Sequence, residues 1–258
     1  MIRLMQTIYE AEKAYEFDPI LGCRIYTLYN CYDNDYPFLR IWVASEDNNI
    51  TACISIMCGI ATITANDKCN FEELSYFFGH DSTIDIIETN EETGKKINEY
   101  LKNDYKTRPI MKFDGEIPQF PIDMKIFTSA SKYIFPILQE SDPEFDSSDF
   151  MAWFYDVHRR MTNGFCEMFT IKDDDDNFVS TAGYYVSSPI SAVVGSVATM
   201  PNYRGKGYGS ALVKFVTGTI KNLCKDSYLI AANDDLIKFY GNLGYSVIGK
   251  EWLITMSE

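Results

Sequence analysis

The chain has 258 residues, 46% of them hydrophobic, 23% charged and 15% aromatic, a composition that excludes a disordered polymer. No stretch approaches the roughly 18 uncharged apolar residues of a membrane span, and Met1-Ile2-Arg3-Leu4-Met5-Gln6 soon gives way to Glu10, Glu12 and Lys13, unlike a signal peptide. The net charge of −14 speaks against nucleic acid as the partner, since phosphate backbones are bound by basic surface; a cytoplasmic protein without a membrane or nucleic-acid partner is expected.

In chain order, a helix-like stretch opens at Phe17-Asp18, and Phe38 to Ala44 reads as a strand. An acidic turn, Glu46-Asp47-Asn48-Asn49, leads into a second strand at Ile50-Thr51-Ala52-Cys53-Ile54. Asp81-Ser82 precedes an apolar run, and Asn90-Glu91-Glu92 has the acidic start of a helix. Between Asp114 and Asp123, Pro118 and Pro121 interrupt any regular element. The pattern then returns: Phe145-Asp146, a strand from Phe165 to Ile171, an acidic turn from Asp173 to Asn177, and a strand at Val179-Ser180-Thr181-Ala182-Gly183. Up to here the offset barely drifts: the Phe-Asp pairs lie 128 residues apart and the Thr-Ala pairs 130. Matching Asp81-Ser82 to Asp226-Ser227 moves the offset to 145, so a gain of 15 residues is expected between the middle strands and last helix of the second copy. The helix start Asn233-Asp234-Asp235 follows. Two related halves, 1–120 and 121–258, are therefore expected. Each reads helix, three strands, helix, strand, helix, strand, which makes a mixed sheet with helices on its faces.

Seven cysteines form no C-x-x-C pair, and the two histidines, His80 and His158, lie near no cysteine pair, so no zinc site is expected. The cysteines fit best as small apolar core residues. Asp173 to Asp176 lack the alternating ligands, glycine and glutamate of a calcium loop and read as a solvated hairpin.

The informative segment begins with a strand, Ala192 to Met200, ended by Pro201. Asn202-Tyr203-Arg204-Gly205-Lys206-Gly207-Tyr208-Gly209-Ser210 comes next, and then apolar positions at Tyr208, Ala211, Leu212, Phe215, Val216, Ile220 and Leu223 with helical spacing. Strand, glycine loop and helix N-terminus together suit a phosphate: free N–H groups form an anion nest, the helix dipole adds to it, and Arg204 and Lys206 bring full charges. A plain chain-turning role for the glycines is the alternative. Neither nucleotide frame fits, because no Gly-Lys-Ser/Thr ends the loop and the third glycine of a dinucleotide motif would fall on Ser210.

Arg204-x-x-Gly207-x-Gly209 after Val197-x-Thr199-x-Pro201 resembles the acyl-CoA signature of the GCN5-related N-acetyltransferases (GNAT). Asn233 to Tyr245, with its Phe239-Tyr240 pair and Leu243-Gly244-Tyr245 ending, resembles that family's last helix. The likeness covers residues from Phe165 onward, and reaches the first half through the repeat, an arrangement that is similar to tandem members of the family.

The resemblance implies an α/β (α+β) chain: a mixed, mostly antiparallel sheet flanked by helices, the acyl-CoA N-acyltransferase fold in two related halves. It implies acetyl-CoA as co-substrate, no metal, and direct attack by a primary amine of a small molecule or peptide. Gly205, Lys206, Gly207, Tyr208, Gly209 and Ser210, with Arg204, would hold the CoA pyrophosphate. Val197, Ala198 and Thr199 would pair with the pantetheine arm, one N–H near Val197 or Ala198 polarising the thioester carbonyl. Tyr240 would protonate the leaving thiolate. Asn233 would cap its helix and touch the CoA arm. The usual general-base position falls on Val193, which cannot accept a proton; Glu167, or water relayed by Tyr184, Tyr185 or Ser196, are the alternatives. A non-catalytic CoA-binding sensor or interaction module is the competing function. The first half has no glycine loop between Ile63 and Asn70, so it is expected not to bind CoA and instead to brace the second half. Its charge through Lys125 is −9 against −5 for the rest; were that surface to face the acceptor, a polycationic amine would be favoured.

Overall fold

The structure, a computed structural model, describes residues 1–32, 36–116, 125–128, 131–141, 145 and 150–256. Asp146, Pro118, Pro121 and the expected boundary at residues 120 and 121 lie outside the described residues. The chain divides into two units. The first holds Met1–Met111, Ile230–Ile237 and Val247–Glu258; the second holds Lys112–Leu229 and Lys238–Ser246.

The first unit opens with β1 (Ile2–Leu4) and two helices, α1 (Ile8–Phe17) and α2 (Leu21–Cys31). Thr7 and Glu10 start α1 as a reciprocal capping box: the Glu10 N–H donates to the Thr7 hydroxyl, and the Thr7 N–H to the Glu10 carboxylate. Three antiparallel strands follow, β2 (Leu39–Glu46), β3 (Asn49–Met57) and β4 (Ile60–Ala65). Then come α3 (Phe71–Gly79), β5 (Ile86–Asn90), α4 (Glu91–Leu101) and β6 (Tyr105–Phe113). Asn70 and Asn90 cap α3 and α4 through their side chains. The last strand of the chain, β12 (Tyr245–Thr255), pairs antiparallel with β5, so the sheet order in this unit is β1-β2-β3-β4-β5-β12-β6. Its core is aliphatic and aromatic, with Ile54, Ile63, Leu74, Phe78, Ile87 and Ile97 fully buried.

The second unit repeats this order: β7 (Ile126–Thr128), α5 (Ser131–Ser141), α6 (Phe150–Thr162), then β8 (Glu167–Lys172), β9 (Phe178–Ser187) and β10 (Ser191–Thr199). A single tight helical turn, Pro201–Tyr203, leads to α7 (Tyr208–Asn222), β11 (Asp226–Ile230) and α8 (Asp234–Gly241). Its strands run in the order β11-β10-β9-β8-β7, all antiparallel except β10 with β11, as β4 with β5 is the parallel pair of the first unit. The fold is therefore α/β with a mixed, mostly antiparallel sheet and helices on its faces, in two related halves. Five of the seven cysteines are buried; Cys58 and Cys224 are exposed. Among the described residues no helix is long and apolar enough to cross a membrane.

The strand registers correct one detail of the repeat. Ile60 pairs with Ile86 where Ser191 pairs with Asp226, so the counterpart of Asp226 is Ile86, not Asp81. Asp81 lies in the turn before β5, where its carboxylate accepts from the N–H and hydroxyl of Thr83. Two aspartates doing different local work had the same neighbour. The added length lies in residues 200–207, against 66–70, and in α7 with 15 residues against 9 in α3, which is less than the expected gain.

Helices α1 and α2 cross so closely that a Cβ on Gly22 would lie 1.9 Å from the Ala14 carbonyl oxygen. Backbone cannot yield as a flexible side chain can. Gly22→Ala is expected to cost roughly 3 kcal/mol of stability, read as a lower urea midpoint; an unchanged midpoint would show that the crossing can open without cost.

Candidate functional site

Strand β10 is irregular where a ligand would need it to be. Gly195 lies opposite Gly183 and Ala198 opposite Thr181, so one extra residue bulges from β10 at Ser196–Val197. Ser196 sits at φ 52°, left-handed for a residue with a side chain. Such a bulge turns an N–H out of the ladder. On its other side, β10 pairs with β11 only at Ser191–Val193. Beyond Val193 the two strands part, and the β11-facing groups of Val194 to Thr199 have no strand beside them. The end of β10 is clamped from β9: the buried Ser180 hydroxyl bonds the Ala198 carbonyl at 2.8 Å and the Thr199 hydroxyl at 2.8 Å.

The loop after β10 then exposes backbone donors. Gly205 and Gly207 have φ of 78° and 87°, and a Cβ on either would point into open space. Gly207 caps α7 without any side-chain bond. The first α7 bond around the cap runs from the Ala211 N–H to the Gly207 carbonyl. The six consecutive N–H groups from Gly205 to Ser210 make no hydrogen bond among the described residues. With the dipole of a 15-residue helix behind them, they form a concave array of positive partial charge. Gly209 is needed for packing: its Cβ would meet the Thr199 hydroxyl at 3.2 Å and the Phe239 ring at 3.9 Å.

Of the two cations of the loop, Arg204 braces the backbone and Lys206 lies over a ring. Arg204 Nε donates to the Thr199 carbonyl at 3.1 Å, and Nη2 to the Ser141 carbonyl at 3.0 Å. Lys206 Nζ lies 4.8 Å from the centre of the Tyr203 ring, whose hydroxyl donates to Asp173 at 2.8 Å. Asp173 belongs to the acidic hairpin turn joining β8 and β9, where it also accepts the N–H groups of Asp175 and Asn177. Those bonds hold its carboxyl below the usual range, the Asn177 N–H contributing most.

Tyr240 lies on α8, which Asn233 starts by accepting the Leu236 N–H on Oδ1. Tyr240 is buried between Phe239 and Tyr245, with ring centroids 5.0 and 6.1 Å away. Burial, then the neighbouring Tyr245, pushes its hydroxyl up to about 12. That hydroxyl makes no hydrogen bond among the described residues, so its proton is free to be given. By contrast, the Tyr245 hydroxyl is engaged by Thr217 and Ser227, each at 2.7 Å.

The base candidates separate. Val193 occupies the last paired rung with Tyr228. Tyr184 donates to Glu167 across β8–β9 at a long 3.3 Å, and burial pushes the Tyr184 hydroxyl well up. Tyr185 faces the other way, giving its proton to Asp156 at 2.6 Å while the Arg160 guanidinium lies 4.3 Å over its ring. Arg160 also pairs with Asp156. Asp156 and Arg160, four apart on α6, were a readable helical pair that the sequence reading passed over; the Ser180 clamp left no local signal. His158 is exposed and stacked on Phe154. Among the described residues no cluster of His, Cys, Asp and Glu could hold a metal ion.

The same strand opening exists in the first unit and is bridged by a side chain. β4 and β5 pair only from Ile60 to Thr62, and the Thr89 hydroxyl then donates to the Ile63 carbonyl at 3.0 Å. Leu229, the counterpart of Thr89, has no group to do this.

Residues 132–245 match the acetyltransferase (GNAT) family. The matched stretch lies within the second half. Over the whole length the fold is similar to a tandem GNAT protein from the clavulanic acid biosynthesis pathway, at 9% identity and TM-score 0.66, covering 100% of this chain and 99% of that one. It is also similar to a GNAT acetyltransferase from Colwellia psychrerythraea, at 10% identity and TM-score 0.62 with both chains fully covered. A GNAT-family protein from Novosphingobium aromaticivorans matches at 17% identity and TM-score 0.54, over 88% of this chain and 92% of that one. No curated protein matches the sequence. The GNAT fold is that of acetyl-CoA-dependent acetyltransferases, and the donors of the loop fit the phosphates of such a co-substrate.

Removing the Ser180 clamp tests how the GNAT domain holds its strand end. Ser180→Ala leaves the Ala198 carbonyl and the Thr199 hydroxyl short of a partner and should cost about 1–2 kcal/mol in denaturant unfolding. A loss within experimental error would mean that water replaces the clamp.

Proposed function

We propose that the chain is an acetyl-CoA-dependent N-acetyltransferase of the cytoplasm that passes the acyl group directly to a primary amine of a small molecule or peptide. The observation that carries this reading is the run of six unpaired N–H groups, Gly205 to Ser210, at the end of a strand that has parted from its neighbour. The loop amides bind the pyrophosphate, and the open side of Val197, Ala198 and Thr199 takes the pantetheine arm as an added strand. Arg204 and Asn233 act on this site by holding the loop and by capping α8.

In the reaction, an N–H of Val197 or Ala198 polarises the thioester carbonyl. The amine nitrogen bonds to the carbonyl carbon, the carbon–sulfur bond breaks, and Tyr240 gives its hydroxyl proton to the departing thiolate. Solvent restores the Tyr240 proton, and the proton lost by the amine passes to water. No carboxylate on the Val193 rung competes for that role, and an amine that is partly neutral at working pH needs little help.

The same observation at Val193 favours a second reading, a CoA-binding sensor without turnover. One set of measurements separates the two. Acetyl-CoA at about 100 times its dissociation constant should stabilise the protein by about 2.7 kcal/mol, and Gly207→Trp, whose ring would fill the space before the amides, should abolish that shift. Release of CoA with a panel of amines supports transfer. Tyr240→Phe should then lower kcat roughly 100-fold while leaving the acetyl-CoA shift intact. Because burial pushes the Tyr240 hydroxyl up to about 12, kcat should show no alkaline fall from this group below about pH 11. Binding with no CoA release for any amine selects the sensor, and absence of binding removes both.

A further inference from the structure

In the first unit, Glu88 on β5 and Glu251 on β12 are diagonal neighbours on one face of an antiparallel pair, Glu88 opposite Leu253 and Glu251 opposite Asn90. Both are buried, Glu251 completely. The charged and polar groups facing them come from three elements. Arg24 on α2 pairs with Glu88 Oε2, which also accepts the Thr62 hydroxyl from β4 at 2.9 Å. Arg108 on β6 reaches Glu251 Oε2 through Nε at 2.6 Å and Glu88 Oε1 through Nη2 at 3.5 Å.

Glu88 Oε2 and Glu251 Oε2 therefore accept hydrogen bonds, and Glu88 Oε1 has an ion-pair contact with Arg108. The fourth, Glu251 Oε1, is buried with no donor among the described residues, and the Glu88 carboxyl lies diagonally across the strand pair on the same face, bridged to Glu251 by Arg108. A bare carboxylate oxygen facing a second carboxylate in an apolar interior carries both a desolvation cost and a repulsion. A proton on Oε1 removes both, since it turns the repulsion into a donated hydrogen bond. The positive charge then left over resides on Arg24 and Arg108, whose side chains are 27% and 39% exposed and so reach water.

We propose that Glu88 and Glu251 form a proton-binding site, one proton on Glu251 Oε1 shared with Glu88, and that loss of this proton loosens β12 from β5. The direction of the titration agrees with the geometry. Burial, then Glu88, pushes the Glu251 carboxyl up to about 7. Burial alone would raise Glu88 as well, but the Arg24 charge with its other partners holds it below the usual range. For a group raised in the folded state, the contribution to stability is complete below its unfolded value of about 4.3 and lost as the pH rises through the folded one. Neither residue has a part in the acyl-transfer site of the second unit.

The test is carboxyl-carbon NMR of the full chain labelled at glutamate. One glutamate carboxyl should titrate near pH 7 rather than about 4.3. It should vanish in Glu251→Gln and move to lower pH in Glu88→Gln, where the like charge is replaced by an amide donor. Amide exchange at Trp252 and Leu253, taken as a ratio to Glu251→Gln at each pH, should quicken over the same range. The proposal is overturned if every glutamate titrates in the ordinary range, if the high midpoint survives Glu251→Gln, or if the exchange ratio stays flat. Should Glu251→Gln not fold, an unchanged midpoint in Glu88→Gln overturns the sharing by itself.

Discussion

A parallel strand pair that stops pairing after three rungs leaves backbone groups that something must satisfy, and the rest of this structure follows from how each half answers. In both halves the parallel pair ends early, at Thr62–Glu88 and at Val193–Tyr228. Buried N–H and C=O groups are costly when left bare. The first half answers within the chain, by placing the Thr89 hydroxyl on the Ile63 carbonyl. The second half has Leu229 there and adds a bulge at Ser196–Val197, the edge that the proposed function assigns to the pantetheine arm. The two halves thus differ at the end of the parallel pair by one hydroxyl and one residue of register.

The loop beyond the open strand follows the same logic. In the proposed site, affinity for an anion would rest chiefly on main-chain donors, because the Arg204 guanidinium is bonded to the Thr199 and Ser141 carbonyls. Glycine at 205 and 207 is what lets the backbone take positive φ and present its amides without side chains in the way. A chain of net charge −14 can for that reason carry an anion site: the array is local, concave and set against a helix dipole, while the surface charge is screened by salt over a Debye length of about 8–10 Å.

What could be read from the sequence was what is decided locally. Strand, glycine loop and amphipathic helix follow from neighbours in the chain, and β10, the loop and α7 begin and end within a residue or so of where residue type places them. Asn90 and Asn233 matched as helix starts, and both act as N-caps. Long-range partners were silent. Nothing beside Ser180 announces that it holds Ala198 and Thr199, nothing beside Thr89 announces that it closes a cleft, and Glu88 and Glu251 are brought together only because the last strand of the chain inserts beside β5. The alignment of Asp81 with Asp226 failed for the converse reason: turn chemistry reuses Asp-Ser wherever a chain bends, so the dipeptide marks a bend and not an equivalent position.

The insertion of β12 also explains why the acidic first half can hold two carboxylates in its interior. β12 brings Glu251 into a sheet whose neighbouring strand already carries Glu88, and β6 on its other side supplies Arg108. Arg108 spans both carboxyls with its guanidinium fork, a geometry that lysine could not reproduce from one point charge. Removing the arginine would leave Glu251 with no donor on either oxygen, whereas removing Glu251 would leave Arg108 partly exposed and still paired to Glu88. The two partners are therefore unequal: the buried acid depends on the arginine far more than the arginine depends on it.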